Sequence, residues 1–271
     1  MIDTKQAKAT ICIVNYKTPE FTKLCLRSIR RFTKYPYEVI VVDNGSGDES
    51  LEYLKSVGWI HLLERKNGHD KSGGCAHGAA IDFAFENCDT DFFVSMHSDT
   101  FVQKDYWLSE LVSLFERDED IACVGSGKLE LRPTWQQWLR RATDYKTFKR
   151  KLLGVADLNE KFRYYNRTIC CLYRRDVLIR ENLTFLMGRD KGLAPGKKLY
   201  FSLVDRGYRT VELPPSVMSR YVLHLAHATR PVIIHNESRR EHTERKFKRR
   251  FDKVWSLPVV QQILADDSLD R

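Results

Sequence analysis

Along the first half of the chain, short and almost unbroken apolar runs alternate with segments whose apolar residues recur at helical spacing. Ala9–Val14 is β-branched and apolar, and it ends at Asn15, Tyr16 and the turn-forming pair Thr18-Pro19. From Glu20 to Arg31, Phe21, Leu24, Cys25 and Ile29 share one helical stripe among basic residues. Further strands are predicted at Tyr37–Val42, Trp59–Leu63, Phe92–Met96 and Ile121–Ser126, with helices over Leu51–Val57, Gly74–Phe85 and Tyr106–Phe115. Strands that are apolar on both faces and separated by helices predict an α/β fold with a mostly parallel sheet covered on two sides. Ligands of such sheets bind beyond the carboxyl ends of the strands. The residues just past those ends are Asn15, Tyr16, Asp43, Asn44 and the triplet His97-Ser98-Asp99.

After Ser126 the rhythm breaks. Residues 130–165 are aromatic, basic and irregularly amphipathic, and read as an insertion or lid on the same domain. Strands resume at Ile169–Leu172 and Tyr208–Leu213, the latter stopped by Pro214-Pro215. The expected organisation is one α/β domain over 1–229 and a basic helical C-terminal appendage over 230–271.

The length of 271 residues suffices for a core without covalent staples. No apolar run reaches the roughly 18 residues of a spanning helix, and the N-terminus lacks the apolar region of a signal peptide. Seven cysteines without CxxC spacing read as buried, reduced thiols of a cytoplasmic protein. The sequons at Asn166, Asn182 and Asn236 then carry no meaning. The net charge of +9 is concentrated in two segments. Six basic residues between Arg140 and Lys151 face only Asp144, and eight between Arg239 and Lys253 face Glu241, Glu244 and Asp252. Such patches suit an anionic partner, such as a membrane face. A nucleic-acid role has no helix-turn-helix, RNP or zinc spacing behind it.

Four features could carry chemistry. Asp43 ends a strand in Val41-Val42-Asp43-Asn44-Gly45-Ser46-Gly47-Asp48, where its carboxylate can accept a base N–H or cap its own turn. Asp99, after the strand FFVSMH, can ligate a hard cation or cap the next helix. The glycine-rich start of a helix, Lys71 to Gly78, can bring backbone N–H groups close to a phosphate, or simply pack close to the sheet. His224 and His227 are two histidines that by themselves make no zinc site.

In this order, Thr10–Tyr16, Glu38–Asp48, Gly68–Ala80 and Asp91–Asp99 together resemble a family 2 glycosyltransferase of the GT-A fold. The likeness continues through Arg174-Arg175-Asp176-Val177 and the Leu199–Pro214 segment, and it ends near His227. The resemblance implies transfer of a sugar from a nucleotide diphosphate to an acceptor hydroxyl, with inversion. Asp43 matches the carboxylate that reads the pyrimidine of a UDP- or dTDP-sugar, beside Asn15 and Tyr16. Lys71, Gly74, His97 and Ser98 fall at donor-binding positions. Asp99 matches the last Asp of the DxD motif that holds Mn²⁺ or Mg²⁺ against the diphosphate, and His227, or else His224, matches a C-terminal histidine of that metal site. His97 stands in place of the first DxD carboxylate. Gly196-Lys197-Lys198 replaces an acidic pair, which leaves Asp190 in Asp190-Lys191-Gly192 as the expected general base. The basic segments fit a lipid-linked or carbohydrate acceptor at a membrane face, as in cell-surface polysaccharide or glycolipid synthesis. The competing expectation is a catalytically silent nucleotide-sugar-binding or scaffold protein of the same fold.

Overall fold

The computed structural model describes residues 9–66, 73–127, 129, 165–225 and 251–271. Its centre is a seven-stranded sheet. In chain order the elements leading into it are β1 (Ala9–Asn15), α1 (Pro19–Phe32), β2 (Tyr37–Asp43), α2 (Glu49–Ser56), β3 (His61–Glu64), α3 (Gly73–Glu86) and β4 (Phe92–His97). A short β5 (Thr100–Val102), α4 (Trp107–Glu116), β6 (Ile121–Ser126), β7 (Cys170–Arg174), α5 (Arg175–Arg180), α6 (Lys197–Asp205) and β8 (Arg209–Leu213) follow. The described chain ends with α7 (Pro215–Met218), β9 (Val222–His224), α8 (Pro258–Ala265) and a 3₁₀ turn over Asp267–Asp270.

The strand order is β3-β2-β1-β4-β7-β6-β8. β1 to β4 run parallel, β7 runs antiparallel to both β4 and β6, and β8 is parallel to β6. The predicted strands and helices of the first half are therefore present with small differences at their ends.

The two-residue period of a strand sorts the core into two faces. Ile11, Ile13, Val39, Val41, Val94 and Met96 face α1 and α4, where Cys25, Leu26, Ile29, Trp107, Leu111 and Phe115 meet them. Cys12, Ile40, Val42, Phe93, Cys171 and Tyr173 face the other way, toward Ala80, Ile81 and Ala84 of α3 and Leu199 and Leu203 of α6. The small residues of α3 let a loop come close: a Cβ at Gly78 would lie 3.1 Å from Leu186 Cδ2. All seven cysteines are free, and burial pushes the Cys170 thiol up to about 12.

Within the expected C-terminal appendage, residues 251–271 pack against the α/β domain. Val254, Val260 and Ile263 form one apolar cluster with Leu24 of α1, Phe101 of β5 and Leu225 beyond β9. Arg27 of α1, 1% exposed, donates to Asp267, Asp270 and the carbonyls of Ile263 and Leu264. Trp59 Nε1 donates to Leu269 O at 2.8 Å, and Gly58 N to Asp270 O at 2.8 Å. The physical cause is an amphipathic pattern in 257–264 that buries against α1 instead of facing water. The expected lid over 130–165 lies, apart from Tyr165, outside the described residues, as do the basic segments 140–151 and 239–250.

Candidate active site

The carboxyl edge of the sheet is built by register. Pairing of β1 with β2 sets Asn15 beside Asp43, and pairing of β1 with β4 sets Val14 beside His97. Beyond β2, the turn passes through Gly45 and Gly47 at φ of 79° and 59°, a region that glycine enters without strain.

Asn15 is fully buried. Its amide nitrogen lies 2.7 Å from Asp43 Oδ1, 3.1 Å from Ser46 Oγ and 3.0 Å from Ser50 Oγ, and its oxygen accepts from Thr18 and Thr22 at 3.2 and 2.7 Å. The Asp43 carboxylate accepts from Asn15, from Gly45 N and Ser46 N at 3.1 and 2.9 Å, and from Ser46 Oγ at 2.5 Å. A carboxylate has about four lone-pair directions, and four donors here occupy them. Asn15 and Asp43, expected beside a donor base, here brace the turn that follows β2. Both residues are sealed under the turn, so their polar atoms hold its shape. Tyr16 remains half-buried at the strand end, with the Lys17 ammonium 5.6 Å from its ring centroid.

From this brace a hydrogen-bond path leads across the edge: Thr18 Oγ1 lies 3.3 Å from Ser98 Oγ. Ser98 precedes Asp99, which is buried. β5 and β9 form a separate antiparallel ribbon in which Thr100 pairs with His224, and Leu225 N donates to Asp99 O at 2.9 Å. His224 therefore sits on a strand next to Asp99, with Nε2 3.1 Å from Asp99 Oδ1. His97 Nδ1 lies 3.8 Å from the same oxygen. One ligand atom from each of His97, Asp99 and His224 falls within 4.8 Å of the others, a set able to hold a metal ion. His227 and Lys71 lie outside the described residues.

Electrostatics differ among the histidines. Burial holds the His97 imidazole down at about 3, with His77 and His224 adding to the effect and Asp99 partly opposing it. It is neutral at pH 7, so a ring nitrogen lone pair is available to a cation. Burial also lowers His224, but the charge and hydrogen bond of Asp99 outweigh that and raise it on balance. A cation bound here would compete with a proton for this position.

The second flank lies at the start of α3. A Cβ at Gly74 would lie 2.8 Å from Arg189 Nη2, so the glycine makes room for that guanidinium. Arg189 also donates to Cys75 Sγ at 3.4 Å and to the Leu193 carbonyl. Asp190, next in the chain, is exposed on this loop. Asp82 of α3 anchors the loop by accepting from Phe185 N and Leu186 N at 2.7 and 3.1 Å. Burial raises its carboxyl to about 6, against the lowering effect of those two N–H groups.

Sequence reasoning missed Thr18, His77, Asp82 and Arg189. His77 carried a visible signal, a lone imidazole in a helix of glycines and alanines. Its ring meets that of His97 edge to face at 4.9 Å between centroids, and its Nε2 is buried with no hydrogen-bond partner among the described residues.

A mostly parallel sheet with helices on both faces, a braced turn after its second strand and a His/Asp cluster at its carboxyl edge are those of an α/β protein with the GT-A fold. The chain belongs to glycosyl transferase family 2, whose model matches residues 10–180. It is 22% identical over 191 residues to YibD, an uncharacterized glycosyltransferase of Escherichia coli (strain K12), covering 67% of this chain and 52% of that protein. Its fold is similar to that of the mannosyltransferase PcManGT from Pyrobaculum calidifontis, solved in complex with GDP-Man and Mn²⁺. That match has a TM-score of 0.54 at 17% identity and covers 78% of this chain and 56% of the other. The chain thus spans about half the length of these relatives. Among the described residues no helix is long and apolar enough to cross a membrane.

Proposed function

We propose that this protein transfers a sugar from a nucleotide-diphosphate donor, UDP- or dTDP-linked, to an acceptor hydroxyl with inversion at the anomeric carbon. The observation that carries this reading is the His97–Asp99–His224 cluster at the carboxyl edge of the sheet, joined through Ser98 and Thr18 to the Asn15–Asp43 brace. The donor's base would lie over the braced turn, against Tyr16, and its diphosphate would reach the cluster.

His97, Asp99 and His224 fit a divalent cation, Mn²⁺ or Mg²⁺ on the family pattern, since their ligand atoms converge and burial keeps His97 unprotonated. When bound, such an ion offsets the charge that grows on the leaving diphosphate. In the transfer itself, the acceptor oxygen bonds to the anomeric carbon, the bond from that carbon to the phosphate oxygen breaks, and the acceptor proton passes to a base. Asp190 is the proposed base: it is an exposed carboxylate on the loop that Arg189 and Asp82 fix against α3. Residues 140–151 and 239–253 would hold the enzyme to anionic lipid from the cytoplasmic side, close to a lipid-linked or carbohydrate acceptor. Flotation with anionic liposomes at low salt tests that attachment, and its absence removes it.

The reading is tested by thermal unfolding with UDP, dTDP, GDP and CDP, each with Mn²⁺ or EDTA, on wild type and Asp99→Ala. A ligand at 100 times its Kd stabilises by about 2.7 kcal/mol, a readily measured shift. A metal-dependent shift with UDP or dTDP, lost in Asp99→Ala, is expected. The absence of a shift with any of the four nucleotides overturns the donor site. Binding of a nucleotide sugar without transfer to any acceptor would move the silent-scaffold reading to the front.

A further inference from the structure

We propose that the cation of this site is of the nitrogen-accepting kind, with Co²⁺ and Zn²⁺ bound more tightly than Mn²⁺, and that Mg²⁺ is its poorest occupant. The proposal rests on the reading above only in placing a cation at the cluster.

The donor atoms carry it. Two of the three converging ligand atoms are imidazole nitrogens, and Asp99 supplies the one carboxylate. Both imidazoles are held in place by the fold. His224 is fixed by the β5–β9 pairing, and His97 ends β4 with Nε2 3.4 Å from Thr168 Oγ1. The second, independent observation is His77, whose ring packs on His97 and whose Nε2 is buried without a hydrogen-bond partner among the described residues. A buried imidazole nitrogen left unpaired costs free energy, and this one belongs to the ring that packs on a ligand of the cluster. Two imidazoles and one carboxylate thus converge where an all-oxygen cation site would place carboxylates, with a third imidazole packed behind His97.

Mg²⁺ takes oxygen ligands in near-ideal octahedra and sheds its waters reluctantly. Imidazole suits zinc and the later transition metals, and affinity for such a nitrogen and oxygen site rises from Mn²⁺ through Co²⁺. With one protein carboxylate, the site gives Mg²⁺ little to replace its waters with.

The test measures binding of Mg²⁺, Mn²⁺, Co²⁺ and Zn²⁺ to the full chain by calorimetry, each alone and with UDP, together with the visible spectrum of the Co²⁺ form. Co²⁺ and Zn²⁺ are expected to bind at least about tenfold more tightly than Mg²⁺, and His97→Asp to narrow that ratio by about tenfold. His224→Glu asks the same question should His97→Asp fail to fold. Mg²⁺ binding as tight as Co²⁺, a ratio unchanged in both folded variants, or no cation bound at all would overturn the proposal. Co²⁺ binding with nitrogen ligation but no response to any nucleotide would uphold it while overturning the donor reading. Nucleotide binding supported equally by Mg²⁺ would do the reverse.

Discussion

His224 Nε2 lies 3.1 Å from Asp99 Oδ1 because Thr100 and His224 pair across a three-residue ribbon. Three residues a side is too little to hold such a ribbon by its own hydrogen bonds. Its support is apolar: Phe101 and Leu225, the neighbours of that pairing, pack against Val254, Val260 and Ile263 of the C-terminal tail. The tail in turn is clamped to α1 by Arg27. The geometry of the candidate metal site therefore depends on the last twenty or so residues of the chain.

That dependence separates two neighbouring aspartates. Asp270 is 16% exposed and accepts from both Arg27 and Tyr53 Oη, whereas Asp267 is 79% exposed. Removing one partner of a buried pair leaves a charge uncompensated, so Asp270→Ala should destabilise by about 3 kcal/mol in urea unfolding. Asp267→Ala should leave the midpoint where it was. Asp270→Ala should also weaken Co²⁺ binding, although its side-chain partners are Arg27 and Tyr53 and not the cluster.

Asn15→Ala strips five buried groups of a partner at once: Asp43, Ser46, Ser50, Thr18 and Thr22. A loss of about 3 kcal/mol in urea unfolding is expected. If Asn15 instead served mainly to touch a donor, stability would hold and only nucleotide affinity would fall.

Asp190→Asn removes a proton acceptor without changing shape. Transfer should fall by about 10²–10⁴-fold, the range of general base catalysis, while the nucleotide-dependent melting shift stays as in wild type. Full transfer by this variant would assign the base elsewhere.

Asp82 makes stability depend on pH in an unusual direction. Its carboxyl is raised to about 6 by burial, so between the usual carboxylate value and 6 the folded chain binds more protons than the unfolded one. Its contribution is then greatest at low pH and declines as pH rises through 6, by about 3 kcal/mol in all. In Asp82→Asn that slope should vanish when urea midpoints are compared between pH 4 and pH 7. The same substitution frees one of the two loop N–H groups at Phe185 and Leu186, which amide exchange would show.

The strands and helices of the first half were legible in the sequence because local periodicity carries them. Ala9–Asn15 and Tyr37–Asp43 are apolar on both faces, and that pattern has one stable use, a sheet covered on two sides. The positions of Asn15, Asp43 and Asp99 at strand ends followed from the same pattern. Tertiary structure alone decided what their atoms do. Whether Asp43 faces a base or closes its own turn depends on Ser46 and Asn15 coming within hydrogen-bond reach, and no periodicity encodes that. The choice of His224 as the partner of Asp99 depended on a strand pairing too short to leave a pattern. The tail's place in the core depended on Arg27, a charged residue that reads as exposed until Asp270 and two carbonyls surround it. Local pattern reports which face of an element is apolar, whereas contacts between distant residues are set by how those faces dock.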